Sequence, residues 1–148
     1  MPEDPRTVVT FRSASFNTAE TKPHYINPYS YGDDVAEWIR DQLKVAGVIV
    51  DSEIGQEDFG WYFGFQVGQQ PYQFIIGYNP DEYWVGWLER NKGLVGSLLG
   101  ARNRGIGADA ANAIHSVLRS SDKIHDIRWH YKKAFDDLKE EMGSTSPV

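Results

Sequence analysis

The sequence contains no cysteine among its 148 residues. This absence excludes a disulfide framework, cysteine-ligated zinc, iron–sulfur clusters and thiol catalysis. No apolar run approaches the roughly 20 residues of a membrane span, and the start, MPEDPRTVV, lacks the basic and apolar regions of a secretory signal. We therefore expect a cytoplasmic protein of one domain, large enough to fold without a disulfide or a metal.

Positive charge is also scarce. The chain has 15 Lys and Arg residues against 21 Asp and Glu residues, for a formal net charge of −6. Residues 1–70 account for the excess, because they hold 11 acidic and 5 basic side chains while residues 71–148 hold 10 of each. Such a chain is repelled by nucleic acid unless it has a separate basic face, so we do not expect nucleic acid binding. Four acidic residues cluster in the first half: Asp51, Glu53, Glu57 and Asp58.

The spacing of apolar residues predicts a two-layer α+β fold. Helical spacing predicts helices over 33–46, with Asp33 as the N-cap, and over 108–119. Alternating and β-branched runs predict strands near 8–12, 48–50, 61–67, 72–78, 83–89 and 127–129. We expect a mainly antiparallel sheet of five to six strands with both helices on one face. This domain spans 1–130, and 131–148 form an extra C-terminal helix with a disordered tail.

The three central strands form a meander whose register predicts the two faces of the sheet. If 68–71 and 79–82 are both four-residue loops, paired residue numbers sum to 139 in the first hairpin and 161 in the second. One face then carries large apolar side chains, including Phe63, Phe74 and Trp87, and forms the core. The opposite face carries six residues that we assign to a binding surface: Tyr62, Gly64, Ile75, Gly77, Trp84 and Gly86.

Three strand-interior glycines are the reason for this assignment. Glycine in a strand costs roughly 0.5–1 kcal/mol relative to alanine. One glycine from each strand on the same face therefore suggests that something approaches the backbone closely. A protein partner or a second copy of the chain would bind at this face. The alternatives are that a helix or the C-terminal segment packs there as ordinary structure, or that the strands pair in a different register.

One group of residues suits a metal or acid–base chemistry. His24 lies in TKPHYINP, and Glu57 and Asp58 lie in QEDFGW. A histidine with two carboxylates can ligate a divalent ion or exchange protons with a substrate. Structural roles in a loop and a turn are the alternative, because the sequence has no tight metal-binding motif. We assign no catalytic residue, metal or cofactor, and enzymatic activity stays open.

A second group, Arg102 and Arg104, precedes the helix predicted at 108–119. Free N–H groups at a helix N-terminus bind anions, and arginine adds charge-assisted hydrogen bonds. The segment matches neither a phosphate-binding loop nor a dinucleotide fingerprint. It is a candidate site for a small anion, with a solvated loop as the alternative. The apolar stripe at 94–99 is too short for more than marginal membrane binding, so we expect no membrane partner.

Several segments resemble a family of small bacterial proteins of unknown function. The segments are TKPHYINPYSYGDD, QEDFGWYF, WVGWLERNKGLVGSLLGARNRGI and DIRWH. They follow the family pattern KPHxINP, EDxGW, GWLE and RWH across residues 10–130. The resemblance implies a bacterial, cytosolic, free-standing domain, and it implies no mechanism.

Together these features predict a non-enzymatic protein-interaction or binding module. Immunity proteins of bacterial toxin systems share the small, acidic, aromatic-rich profile, which is a likeness of class only. The alternative function is a small metal- or acid–base-dependent enzyme that uses His24, Glu57 and Asp58, or an anion binder that uses Arg102 and Arg104.

Overall fold

The computed structural model describes residues 5–26, 30–80, 82–90, 106–132, 135 and 143–148. Its elements follow the chain as β1 (Val8–Arg12), α1 (Asp33–Val45), β2 (Ile49–Val50), β3 (Gly55–Glu57), β4 (Gly60–Val67), β5 (Gln70–Asn79), β6 (Tyr83–Arg90), α2 (Ala108–Arg119) and β7 (His125–His130). The seven strands form one antiparallel sheet ordered β2-β4-β5-β6-β1-β7, with β3 also paired to β4. The predicted α+β class is confirmed, with one strand more than expected.

The additional strand, β3, lies in a polar segment that shows no apolar alternation. Its residues pair with the first residues of β4, and a short turn joins the two strands. β2 pairs with the later part of β4 on the same edge. No helix in the described part of the chain has the length and apolar character needed to cross a membrane.

Both helices pack against the same face of the sheet, as predicted, and we call this the inner face. α1 buries Val35, Ile39 and Leu43, and α2 buries Ile114 and Leu118. The predicted N-cap of α1 is wrong by one residue, since the helix is preceded by Gly32 with φ 136°. A side chain there would be strained and would press on Trp61, which explains the glycine. The largest fully buried side chains are Phe11, Phe63, Phe65, Phe74, Trp84 and Trp129.

The register of the meander differs from the prediction in both hairpins. β4 and β5 are joined by the two-residue turn 68–69, so paired residue numbers sum to 137. This shift of two leaves every side chain on its predicted face. In the second hairpin Asn79 pairs with Tyr83 and the numbers sum to 162, with Glu82 in the left-handed region at φ 71°. That shift of one moves every side chain of β6 to the opposite face.

The faces predicted for the residues of β6 are therefore wrong. Trp84 and Gly86 lie on the inner face rather than on the proposed binding surface, and Trp87 lies on the outer face rather than in the core. Phe63 and Phe74 point inward as predicted. Gly86 is explained by packing within the core, because a Cβ there would overlap the ring of Phe74.

The last six residues differ from the expected disordered tail. Ser144 exchanges both backbone hydrogen bonds with Trp129 of β7, and the backbone N–H of Arg6 donates to the Pro147 carbonyl at 2.8 Å. The composition of GSTSPV does not predict this backbone pairing, because backbone hydrogen bonds do not depend on particular side chains. Three predictions lie outside the described residues: the apolar stripe at 94–99, the anion site at Arg102 and Arg104, and most of the helix expected after residue 131.

Candidate functional site

The outer face of the sheet carries a patch of large side chains, which we call the outer patch: Phe59, Tyr62, Ile75, Val85 and Trp87. Tyr62, Ile75 and Trp87 form one cross-strand row over β4, β5 and β6. Phe59 lies in the turn between β3 and β4, and its ring centroid is 5.7 Å from that of Trp87. Phe59 is 54% exposed, whereas Ile75 at the centre is 2% exposed. The patch therefore has a buried base at Ile75, half-buried rings at Tyr62 and Trp87, and one exposed ring, that of Phe59.

The chain itself occupies the space above the two outer glycines. A Cβ at Gly77 would lie 2.7 Å from the Phe59 carbonyl oxygen, so Gly77 lets the β3–β4 turn cross the sheet closely. At Gly64, a Cβ would overlap the carboxylate of Asp51, which accepts a hydrogen bond from the Gly64 N–H at 3.1 Å. Ordinary structure therefore accounts for both glycines, but the β3–β4 turn and Asp51 supply it rather than the helix or C-terminal segment that the sequence suggested. Of the predicted binding residues, Tyr62 and Ile75 contribute side chains to the outer patch.

Acidic side chains border the outer patch. Glu57 and Asp58 directly precede Phe59 and are exposed. Because Gln56 pairs with the inward Trp61, alternation turns Glu57 to the outer face. Asp51 lies exposed at the β2 edge. The rim is thus negatively charged, in keeping with the acidic cluster seen in the sequence.

His24 lies elsewhere, in a loop that covers the inner side of Trp61. Its Nε2 lies 2.9 Å from Oδ2 of Asp33, at the start of α1. The Lys22 ammonium lies 3.6 Å from the same oxygen, and the Tyr25 hydroxyl donates to Oδ1 at 3.0 Å. Gln56 fixes the loop to β3, since it accepts from the Ile26 N–H and donates to the His24 carbonyl.

This cluster shifts two pKa values. Burial raises the pKa of the Tyr25 phenol to about 12, and the neighbouring Asp33 carboxylate acts in the same direction against the hydrogen bond from Asn17. For Asp33, burial is the largest single influence and acts upward. Hydrogen bonds from His24 and Tyr25 and the charge of Lys22 together outweigh it, so the pKa of Asp33 lies below its ordinary value. Asp33 is therefore ionised at neutral pH and holds the loop to α1.

The meeting of His24 with Glu57 and Asp58, which the alternative enzyme requires, is not found. His24 pairs with Asp33, while Glu57 projects from the other face of the sheet. Within the described ranges, no group of three or more His, Cys, Asp or Glu residues is arranged to hold a metal ion. The alternative enzyme therefore lacks its proposed three-residue site.

Sequence reasoning missed Phe59 and Trp87. Trp87 was placed on the wrong face by the one-residue register error. Phe59 had a usable signal, because a large aromatic residue in the turn-like segment EDFG has little core to enter.

Comparison of the chain with family models, curated proteins and solved structures finds no match.

Proposed function

We propose that this chain is a protein-interaction module that uses its outer patch to bind a partner with an apolar centre and basic surroundings. The observation that carries the proposal is the exposure of Phe59 above the row of Tyr62, Ile75 and Trp87. Exposed aromatic side chains on a rigid, partly buried base are typical of binding surfaces. The sequence resemblance adds a bacterial, cytoplasmic setting to the proposal.

The acidic border supports a basic partner. Asp51, Glu57 and Asp58 lie around the outer patch and are exposed. Complementary charge guides partners together and disfavours acidic competitors. Burial of the aromatic centre contributes binding free energy, and the acidic border selects basic partners over acidic ones.

The experiment compares Phe59→Ala with Ile26→Ala. Both side chains are 54% exposed, but Ile26 lies in the His24 loop, away from the outer patch. The two tagged variants and the wild type are used as bait in a lysate of the source organism, and a retained protein is then purified for a direct titration. We expect a partner that binds the wild type and Ile26→Ala equally and binds Phe59→Ala about fivefold more weakly, as about 1 kcal/mol of lost burial implies, with all three proteins folded at the assay temperature.

A charge-reversed variant, Asp58→Lys, tests the acidic border with the same purified partner. Weaker binding and a smaller dependence on salt are expected. A second copy of the chain is the other possible occupant, and light scattering over a concentration series detects it. Equal binding by Phe59→Ala and Ile26→Ala, with a monomer at all concentrations, would overturn the proposal.

A further inference from the structure

An open cleft of about 600 Å³ lies between α2, β7 and the C-terminal segment. This volume falls within the range of small-molecule sites, about 300–1,000 Å³. Asn112, His115, Ser116 and Arg119 line one wall from a single face of α2, and Asp126 and Ser146 lie opposite. The cleft is on the helix side of the β7 edge, so it is separate from the outer patch.

The protonation of His115 is determined by its neighbour. The indole Nε1 of Trp129 lies 3.0 Å from Nδ1 of His115. An indole nitrogen only donates, so Nδ1 must accept and the neutral ring carries its proton on Nε2. Burial lowers the pKa of His115, and the charge of Arg119 lowers it further. His115 is therefore a fixed donor, and Trp129 orients it from the core.

Donors dominate the α2 wall of this cleft. Arg119 contributes a guanidinium group that makes no ion pair within the described residues, and His115 contributes an N–H. Asn112 and Ser116 add an amide and a hydroxyl on the same wall. The exposed carboxylate of Asp126 also lines the cleft, and the Arg12 guanidinium, which lies outside the cleft at 3.8 Å, offsets part of its charge. Among the lining residues the formal charges of Arg119 and Asp126 cancel, so the cleft is neutral in a chain whose total is −6.

The backbone at the rim is irregular. Asp126 has φ 54°, in the left-handed region, and the pairing of β1 with β7 shifts register between Thr10 and Arg12. Such a bulge turns side chains away from the regular alternation, and bulges occur preferentially beside functional sites. Here the bulge places Asp126 at the cleft opposite α2.

We infer that this cleft binds a small oxyanion-bearing molecule, a carboxylate or a phosphate monoester. The anionic group lies between Arg119 and the His115 N–H, and Asn112 and Ser116 bind its remaining polar atoms. Arginine recognises carboxylate and phosphate alike through paired N–H groups, so the two sources share one chemistry. The site is independent of the protein interaction proposed above.

The test is a titration of the full-length ¹⁵N-labelled protein with sodium phosphate and, separately, sodium acetate, at constant ionic strength. We expect saturable amide shifts at 112–119, 124–127 and 144–146 with at least one anion. Saturation with phosphate alone identifies a phosphoryl ligand, and saturation with acetate identifies a carboxylate ligand.

Arg119→Gln and Lys44→Gln form a matched pair. Each removes one positive charge from the last turn of a helix, but Lys44 belongs to α1 and lies outside the cleft. Arg119→Gln should weaken binding about tenfold or more, and Lys44→Gln should leave it unchanged. Asn112→Ala, from the same wall, provides a second variant with a smaller expected loss. Absence of saturable shifts with both anions, or equal weakening by Arg119→Gln and Lys44→Gln, would overturn the inference.

Discussion

Two fully buried tryptophans provide a test of the inner face. Trp84 and Trp129 are both 0% exposed and both lie on the inner face of the sheet. The Trp129 N–H donates to His115, whereas the Trp84 N–H finds no acceptor within the described part of the chain. Replacing each with phenylalanine removes a similar volume but has opposite consequences for hydrogen bonding.

The expected difference follows from those hydrogen bonds. Both variants lose ring contacts and create a small cavity, which is destabilising in each case. Trp84→Phe also removes a buried donor without a partner, whose burial costs about 1–3 kcal/mol. Trp129→Phe instead breaks a made hydrogen bond and leaves Nδ1 of His115 without its donor. We expect Trp129→Phe to lose more unfolding free energy than Trp84→Phe by about 2 kcal/mol.

The assay is urea unfolding followed by far-ultraviolet circular dichroism, because tryptophan fluorescence changes with the substitutions themselves. Equal slopes for the wild type and both variants would validate the comparison of midpoints. Trp84→Ala serves as the reference for burial and should cost about 3–5 kcal/mol. If Trp84→Phe proved as damaging as Trp129→Phe, the argument from the unpaired indole would be refuted.

Three further results are expected. Gly86→Ala should destabilise the protein by about 1–3 kcal/mol, because a Cβ there overlaps the Phe74 ring; an unchanged melting temperature would contradict this. Because the pKa of Asp33 is lowered in the folded protein, its ionised carboxylate stabilises the fold above the unfolded-state pKa, and this stability is lost as the pH falls through the folded-state pKa. Asp33→Asn should therefore flatten the acid side of a profile of unfolding free energy against pH. An unaltered profile would count against the His24 contact. The Tyr25 phenol should ionise near pH 12 in an ultraviolet titration, and a missing late component would show that it is not buried beside Asp33.

Much of the architecture follows from patterns that lie within single elements. The periodicity of Val35, Ile39 and Leu43 identified α1, and the matching pattern in α2 gave its bounds correctly. Each pattern reports which side of one helix meets the core. The pairing of two strands depends on turn geometry, which the side-chain pattern specifies poorly when both faces are apolar.

The wrong faces predicted for β6 result from this ambiguity in strand pairing. Strand β6 has large side chains on both sides, Trp84 inward and Trp87 outward, so either face was compatible with a core. Glu82 adopts a left-handed conformation without being glycine or asparagine, so the loop length had no sequence signature. The close crossing of the β3–β4 turn over Gly77 depends on a strand too polar to predict.

The strength of the proposed protein interaction follows from the size of the outer patch. Fully burying a phenylalanine contributes about 1.5–3 kcal/mol, and about half of Phe59 is already buried, so it can add about 1 kcal/mol. Ile75 adds almost nothing, because it is buried before binding. A nanomolar complex needs about 12 kcal/mol, and exposed ion pairs at Asp51 or Asp58 contribute about 0–1 kcal/mol each. These contributions fall far short of that value, so we expect a weak complex whose association rate falls as salt is added.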